Sequence, residues 1–184
     1  LVFRMFQQLI FAVRHSNKKT GKNYMTETEM KLLDAATQMK IVIGGEDDDT
    51  IRSCVNAYIS HARSVTFVMK KESAVHPELE KWYEEKSEQL KEDPLMKFFN
   101  EKRTHTIHRG VITPKKTTFP FCDLVIGGVP QPGEGTMTIY EFEGVDKYLP
   151  DHNGDMYVLC EQYFINLKGL VKDWVRKRKE LGLR

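Results

Sequence analysis

The side chains best suited to chemistry lie in one stretch, KEDPLMKFFNEKRTHTIHRG, which runs from Lys91 to Gly110. Near its end stand an arginine and two histidines, Arg103, His105 and His108. Arginine side chains bind anions, and histidine side chains exchange protons near neutral pH. A helix that ends by directing these three residues at a packed surface is the strongest chemical feature of the chain.

The flanking residues predict that helix. Asp93 suits the N-cap, and Pro94 suits the first helical position, where a missing N–H costs nothing. An apolar face follows at helical spacing, formed by Leu95, Phe98 and Phe99. Arg103 comes four residues after Phe99, at the flank of this face, and Gly110 is the expected C-cap.

The same residues also have a purely structural interpretation. Cations near a helix C-terminus are favoured by the macrodipole, by roughly 0.3–1 kcal/mol each. The cations and histidines that crowd this end are Lys102, Arg103, His105, His108 and Arg109. On the residues alone, both interpretations remain open.

Earlier segments predict further helices. A capping box at Thr26–Glu29 opens a helix that Gly44-Gly45 end, and the acidic run Glu46–Asp49 suits the N-terminus of the next. Two helical arms follow, at about 50–72 and 77–109, expected to be antiparallel neighbours. The second arm should be interrupted or kinked at Asp93-Pro94. Individually, His61, Arg63 and Ser64 on the first arm are interpreted as structural or solvated. Residues 1–14 are interpreted as a helix.

The texture changes after Gly110, where prolines and glycines separate two β-rich runs, Phe119–Ile126 and Thr136–Phe142. We expect a hairpin or irregular excursion there. Asp151–Asp155 (DHNGD) resembles part of a calcium loop but lacks the EF-hand spacing and the distal glutamate. It is better interpreted as a turn that ends in an N-cap at Asp155.

A final helix from Met156 to about Leu181 carries a near-heptad apolar pattern and a basic polar side. The whole pattern predicts a mainly α fold, an antiparallel helical bundle with a small β-rich excursion between the third and last long helices. We expect a single domain over 1–184, with 1–45 as an N-terminal extension and 111–153 as the β-rich insertion.

Composition excludes little. The net charge is +2, so nucleic acid is neither required nor excluded as a partner. The three cysteines are widely spaced without a CxxC, which favours reduced thiols in a cytoplasmic protein over a zinc site or disulfides. No apolar run approaches the ~18–20 residues that span a bilayer, so no membrane partner is expected. The apolar opening LVFRMFQQLIFAV has no small-residue cleavage site and favours a core helix or strand.

Arg103-Thr-His-Thr-Ile-His108, at the end of the third long helix, resembles the motif of the HEPN superfamily (higher eukaryotes and prokaryotes nucleotide-binding). That motif is an arginine followed, after four to six residues, by a histidine. The resemblance covers roughly Thr50–Gly110 and the last helix. This chain has Thr104 where the family usually places Asn, Asp or His directly after the arginine.

The resemblance implies a metal-independent endoribonuclease in which the 2′-OH attacks the adjacent phosphate. Arg103 would then hold the scissile phosphate, His108 would exchange protons, and His105 would be a second proton carrier. It further implies a homodimer across this helix, and a place in a toxin–antitoxin or defence system with an antitoxin-like protein partner. No cofactor is implied. RNA contacts are expected from Lys102, Arg109, Lys168, Lys172 and Arg176.

Two alternatives remain. The first is a non-catalytic module of the same fold that binds nucleotide, RNA or protein, which Thr104 slightly favours. The second is a metal site made by His105 and His108, three apart on a helix. Apart from Glu101, no carboxylate lies at helical spacing to complete such a site. We therefore expect no metal.

Overall fold

The computed structural model describes residues 25–45, 47–120, 124–126, 129–131 and 136–183. Five helices and four short strands fall within these ranges. The helices are α1 (Glu27–Gly44), α2 (Asp48–Ser73), α3 (Pro77–Glu92), α4 (Pro94–His108) and α5 (Met156–Glu180). The predicted mainly α bundle with a small β excursion before its last helix is confirmed. The helix predicted at 1–14 lies outside the described residues.

Helix ends follow local capping chemistry, as predicted. Thr26 and Glu29 form a complete capping box at α1. Asp47 accepts the Thr50 N–H at the start of α2, and Asp155 accepts the Tyr157 and Val158 N–H groups at the start of α5. Side-chain oxygens here satisfy the N–H groups that the first helical turn leaves without partners.

The second predicted arm is two helices. Asp93 has extended backbone angles (φ −68°, ψ 120°), so it is at once the C-cap of α3 and the N-cap of α4. The following Pro94 excludes the α region at Asp93, which explains a full break. The chain therefore bends sharply between α3 and α4.

α2 is the central helix. Two buried hydrogen bonds join it to α5: the Tyr58 hydroxyl donates to the Cys160 carbonyl (2.7 Å), and the Trp174 indole donates to the Ser73 Oγ (2.9 Å). The later residue of α2 bonds to the later residue of α5, so α5 runs parallel to α2. By contrast α4 is antiparallel to α2, because Arg63 contacts Asn100 whereas the earlier Asn56 contacts Ile112.

Aromatic rings fill the space between α4 and α5. Phe99 stacks on Tyr163 with ring centroids 4.2 Å apart and planes 7° apart, and meets Phe98 edge-on. Phe142, just after the last strand, packs against both phenylalanines. The apolar face predicted on α4 is therefore buried within this chain.

The β excursion consists of two antiparallel pairs. β1 (Lys115–Pro120) pairs with β4 (Thr136–Glu141), and β2 (Leu124–Ile126) pairs with β3 (Val129–Gln131). β1 begins four residues before the β-rich run predicted from Phe119. Its first four residues are Lys and Thr with largely exposed side chains, so no apolar alternation marks them.

Candidate functional site

The predicted catalytic residues lie at the end of α4. The helix ends at His108 with Arg109 as its C-cap, so the predicted C-cap Gly110 stands one residue beyond the cap. Gly110 has φ 126°, a conformation that L side chains rarely adopt, and this lets the chain turn away from the helix. Ile112 is then fixed to α2 by hydrogen bonds with Asn56.

Arg103 is half-buried and lies against α2. Its guanidinium carbon lies 5.8 Å from the centroid of the Phe67 ring, and that of Arg63 lies 4.5 Å from the same centroid. Phe67 nevertheless keeps 54% of its surface exposed. We call Arg63, Phe67 and Arg103 the arginine–phenylalanine surface.

No carboxylate in the described part of the chain compensates the charge of this surface. Within the described ranges, neither Arg63 nor Arg103 forms an ion pair with a carboxylate. Arg63 donates to the Asn100 side-chain oxygen (3.1 Å) and to the Thr66 hydroxyl, both neutral acceptors. Two guanidinium groups on one ring, without neutralising acids, form an anion-binding surface that has an aromatic centre.

The two histidines have different environments. His108 is exposed. His105 is half-buried, and its Nδ1 atom is buried without a hydrogen-bond partner among the described residues. A five-residue step turns a helix by about 140°, so Arg103 and His108 project in different directions. The structure does not bring the two predicted catalytic residues together within one chain.

The predicted RNA-binding residues do not form one surface. Lys102 donates to the Glu143 carbonyl (2.6 Å) and lies 5.1 Å from the Phe98 ring centroid, and burial lowers its pKa. Arg176 already pairs with Asp173 (3.0 Å). Its neighbour Trp174 bonds to Ser73 of α2. Asn56 of α2 contacts Ile112, just after α4, and Ser73 lies 17 residues further along α2. At the rise of an α-helix this is about 25 Å.

The other three predicted RNA-binding residues lie on two different elements. Lys168 and Lys172 are also on α5, and burial together with the Lys172 ammonium lowers the pKa of Lys168. Arg109 is exposed and follows His108 directly at the end of α4. Two of these three residues therefore belong to α5 and one to the C-cap of α4.

A pocket of about 290 Å³ lies inside the bend between α3 and α4, and we call it the bend pocket. Its floor is buried and largely apolar, formed by Thr66, Tyr83, Met96 and Tyr163. Its rim is more polar and includes Arg63, Lys91, Lys97 and Asn100. Arg63 therefore belongs to both the pocket and the arginine–phenylalanine surface.

Arg63 and Phe67 were not predicted as a pair. Their spacing of four residues places them on one face of a helix. Phe67 also falls outside the apolar positions that pack α2 into the core, among them Val65 and Met69. A large aromatic side chain off the buried face, one turn after an arginine, was the available signal.

The described residues contain neither a cluster of metal ligands nor a membrane-spanning helix. Among the described residues, no three His, Cys, Asp or Glu side chains come together as metal ligands. None of the helices in the described ranges combines the length and apolarity that a membrane span requires. The expected homodimer and antitoxin-like partner stay predictions.

Comparison with known families corrects the expected resemblance. The family model described as "Bacteriophage lambda protein ea47" matches residues 42–115, about two-fifths of the chain. No curated protein and no solved structure matches. The matching family is not HEPN, so the HEPN resemblance was wrong. The match contains α2, α3 and α4, and with them the arginine–phenylalanine surface and the bend pocket except for Tyr163.

Proposed function

We propose that this protein binds single-stranded RNA through the arginine–phenylalanine surface. The observation that carries the proposal is the exposed Phe67 ring beside two guanidinium groups that have no carboxylate partner among the described residues. Proteins that bind single strands combine cationic groups for the phosphates with aromatic side chains on which bases stack. Only an unpaired base is free to stack in this way.

The two arginines contribute differently. Arg63 is fixed by its bonds to Asn100 and Thr66. Arg103 lies close to the ~6 Å limit of a cation–π contact, so it can turn to a phosphate at little cost. A phosphate beside the ring would then receive one rigid and one adjustable guanidinium group. Stacking on the exposed part of Phe67 orients the base.

The test is fluorescence anisotropy of a labelled single-stranded RNA with wild type, Phe67→Ala and Arg103→Gln. Base–aromatic stacking contributes about 1–3 kcal/mol, so Phe67→Ala should weaken binding roughly 5- to 150-fold. Arg103→Gln should also lower the salt dependence of the affinity, because one phosphate contact is lost.

The matched control is Lys81→Gln, an exposed lysine on α3 that does not line the bend pocket. It removes one positive charge and should leave the affinity nearly unchanged. An affinity equal to wild type in Phe67→Ala contradicts the proposal, and so does an equal loss in Lys81→Gln and Arg103→Gln.

Cleavage of the bound RNA is a second candidate function. It is favoured by His108, whose exposed imidazole stands one helical turn and a half after Arg103 and forms no hydrogen bond among the described residues. In the reaction, the 2′-OH would attack the adjacent phosphate and expel the 5′-oxygen of the next nucleotide. The products would be a 2′,3′-cyclic phosphate and a 5′-OH, and no metal would be needed. Incubating RNA with EDTA should leave the cleavage rate unchanged, and His108→Ala should lower it by ~10²–10⁴. Equal rates in both proteins assign the cleavage to a contaminant.

A further inference from the structure

The bend pocket has the chemistry of a site for a flat apolar group attached to an anion. The ring of Tyr83 and the side chain of Met96 form its floor, and both are buried. Its volume, about 290 Å³, is at the small end of the range for ligand pockets. Such a space is large enough to admit one nucleobase.

The rim of the pocket is cationic. None of its lining residues is acidic, whereas Arg63, Lys91 and Lys97 are basic. Lys91 pairs with Glu88 (2.5 Å) and Lys97 with Glu92 (3.1 Å), but all four side chains are largely exposed. Exposed ion pairs are weak, so a bound anion can replace these carboxylates.

Arg63 connects the pocket to the arginine–phenylalanine surface. A guanidinium group has five N–H donors, and the bonds to Asn100 and Thr66 use two of them. Its remaining donors are free for a phosphate at a point that adjoins both Phe67 and the pocket. A phosphate bound there would have one flanking base beside the ring and the other beside the pocket.

We propose that the bend pocket is a base subsite, and that the protein recognises a dinucleotide step of the RNA. One base stacks on Phe67, the next enters the pocket over Met96, and Arg63 binds the phosphate between them. This inference rests on the proposed function, since it assigns the neighbouring nucleotide of the same strand.

The test compares uridine monophosphate with the dinucleotide UpU, each as a competitor of labelled RNA. UpU should bind wild type about tenfold or more tightly than the mononucleotide, because a second base is bound. Ser87→Phe fills the pocket from its α3 wall and should reduce UpU to the affinity of the mononucleotide. Ser87→Ala keeps the pocket open and should retain the wild-type ratio.

A measurement on wild type does not depend on how the filled variant folds. With [¹³C]methyl-methionine protein, UpU should shift the Met96 methyl resonance, because a base over it exerts a ring current. The Met137 resonance should stay in place, since this exposed residue lies on β4 and away from the pocket. Met96→Leu assigns the signal.

The outcomes separate the two proposals. UpU that binds without shifting Met96, or a Ser87→Phe variant with an unchanged UpU affinity, overturns the base subsite. In that case a loss of RNA binding in Phe67→Ala still supports the proposed function. Wild type that binds neither UpU nor longer RNA overturns both.

Discussion

The Asn56 side chain fixes the segment that follows the candidate site, and its replacement gives a graded prediction. Its Nδ2 donates to the carbonyls of Ile112 (2.8 Å) and Arg52 (2.7 Å), and its Oδ1 accepts the Ile112 N–H (2.9 Å). The amide therefore bonds both backbone groups of a buried residue, two positions after Gly110. Its loss should release the chain that leaves α4.

The magnitude follows from these bonds. Asn56→Ala removes both bonds to Ile112, each with a net contribution of about 0.5–1.5 kcal/mol, so the free energy of unfolding should fall by about 1–3 kcal/mol. Asn56→Asp should lower it further at pH 7. One carboxylate oxygen can still accept the Ile112 N–H, but the other faces two carbonyl oxygens without a proton to donate.

The two variants should differ in their dependence on pH. Two carbonyl oxygens face the introduced carboxylate, and this raises the pKa of the Asp above its usual ~3.9. A carboxyl group whose folded pKa is raised contributes most below its unfolded pKa and loses that contribution as pH rises through the folded pKa. The gap between Asn56→Asp and Asn56→Ala should therefore narrow from pH 7 to pH 4.

Urea unfolding followed by circular dichroism at both pH values measures these differences, and amide exchange at Ile112 locates them. The Ile112 amide should exchange faster in both variants than in wild type. If Asn56→Asp is as stable as wild type at pH 7, or if its deficit is independent of pH, the reasoning about the carbonyl oxygens is wrong.

Two further predictions concern the framework. Ser73→Ala leaves the buried Trp174 N–H without an acceptor, so the free energy of unfolding measured in urea should fall by about 1–3 kcal/mol. The control Ser64→Ala, at a half-exposed position of the same helix, should change it little. The Lys147 ammonium and then the Tyr148 hydroxyl lower the pKa of Glu101 from its usual 4.5. Its contribution is present above pH 4.5 and lost as pH falls through the lowered pKa; the pair is exposed, so the difference between wild type and Glu101→Gln should be below about 1 kcal/mol at pH 7 and vanish toward pH 3.

The framework was predictable where its causes are local. Thr26, Asp93 and Asp155 each cap a helix through backbone groups two or three residues away, so sequence spacing alone identifies them. β1 was placed too late because its first residues are neither apolar nor alternating. A strand held by pairing with β4 needs no such pattern, and the pairing joins residues some twenty positions apart.

The candidate site was only half predictable, because its parts come from different helices. The end of α4 identified Arg103, but the spacing within α4 says nothing about what lies opposite on α2. Phe67 becomes its neighbour only through the antiparallel packing that the Arg63–Asn100 and Asn56–Ile112 contacts fix. The bend pocket requires still more, since it exists only because Asp93 separates α3 from α4.

The failure of the HEPN resemblance has the same physical origin. An arginine and a histidine five residues apart fix a rotation of about 140° around one helix and nothing else. In this fold that rotation turns Arg103 onto α2 and leaves His108 in solvent. For His108 to act on a phosphate bound at Arg103, the strand must extend around the end of α4, past Arg109. The proposed binding and the proposed cleavage should therefore be separable: replacing Phe67 or Arg63 should weaken the binding, and replacing His108 should lower only the cleavage rate.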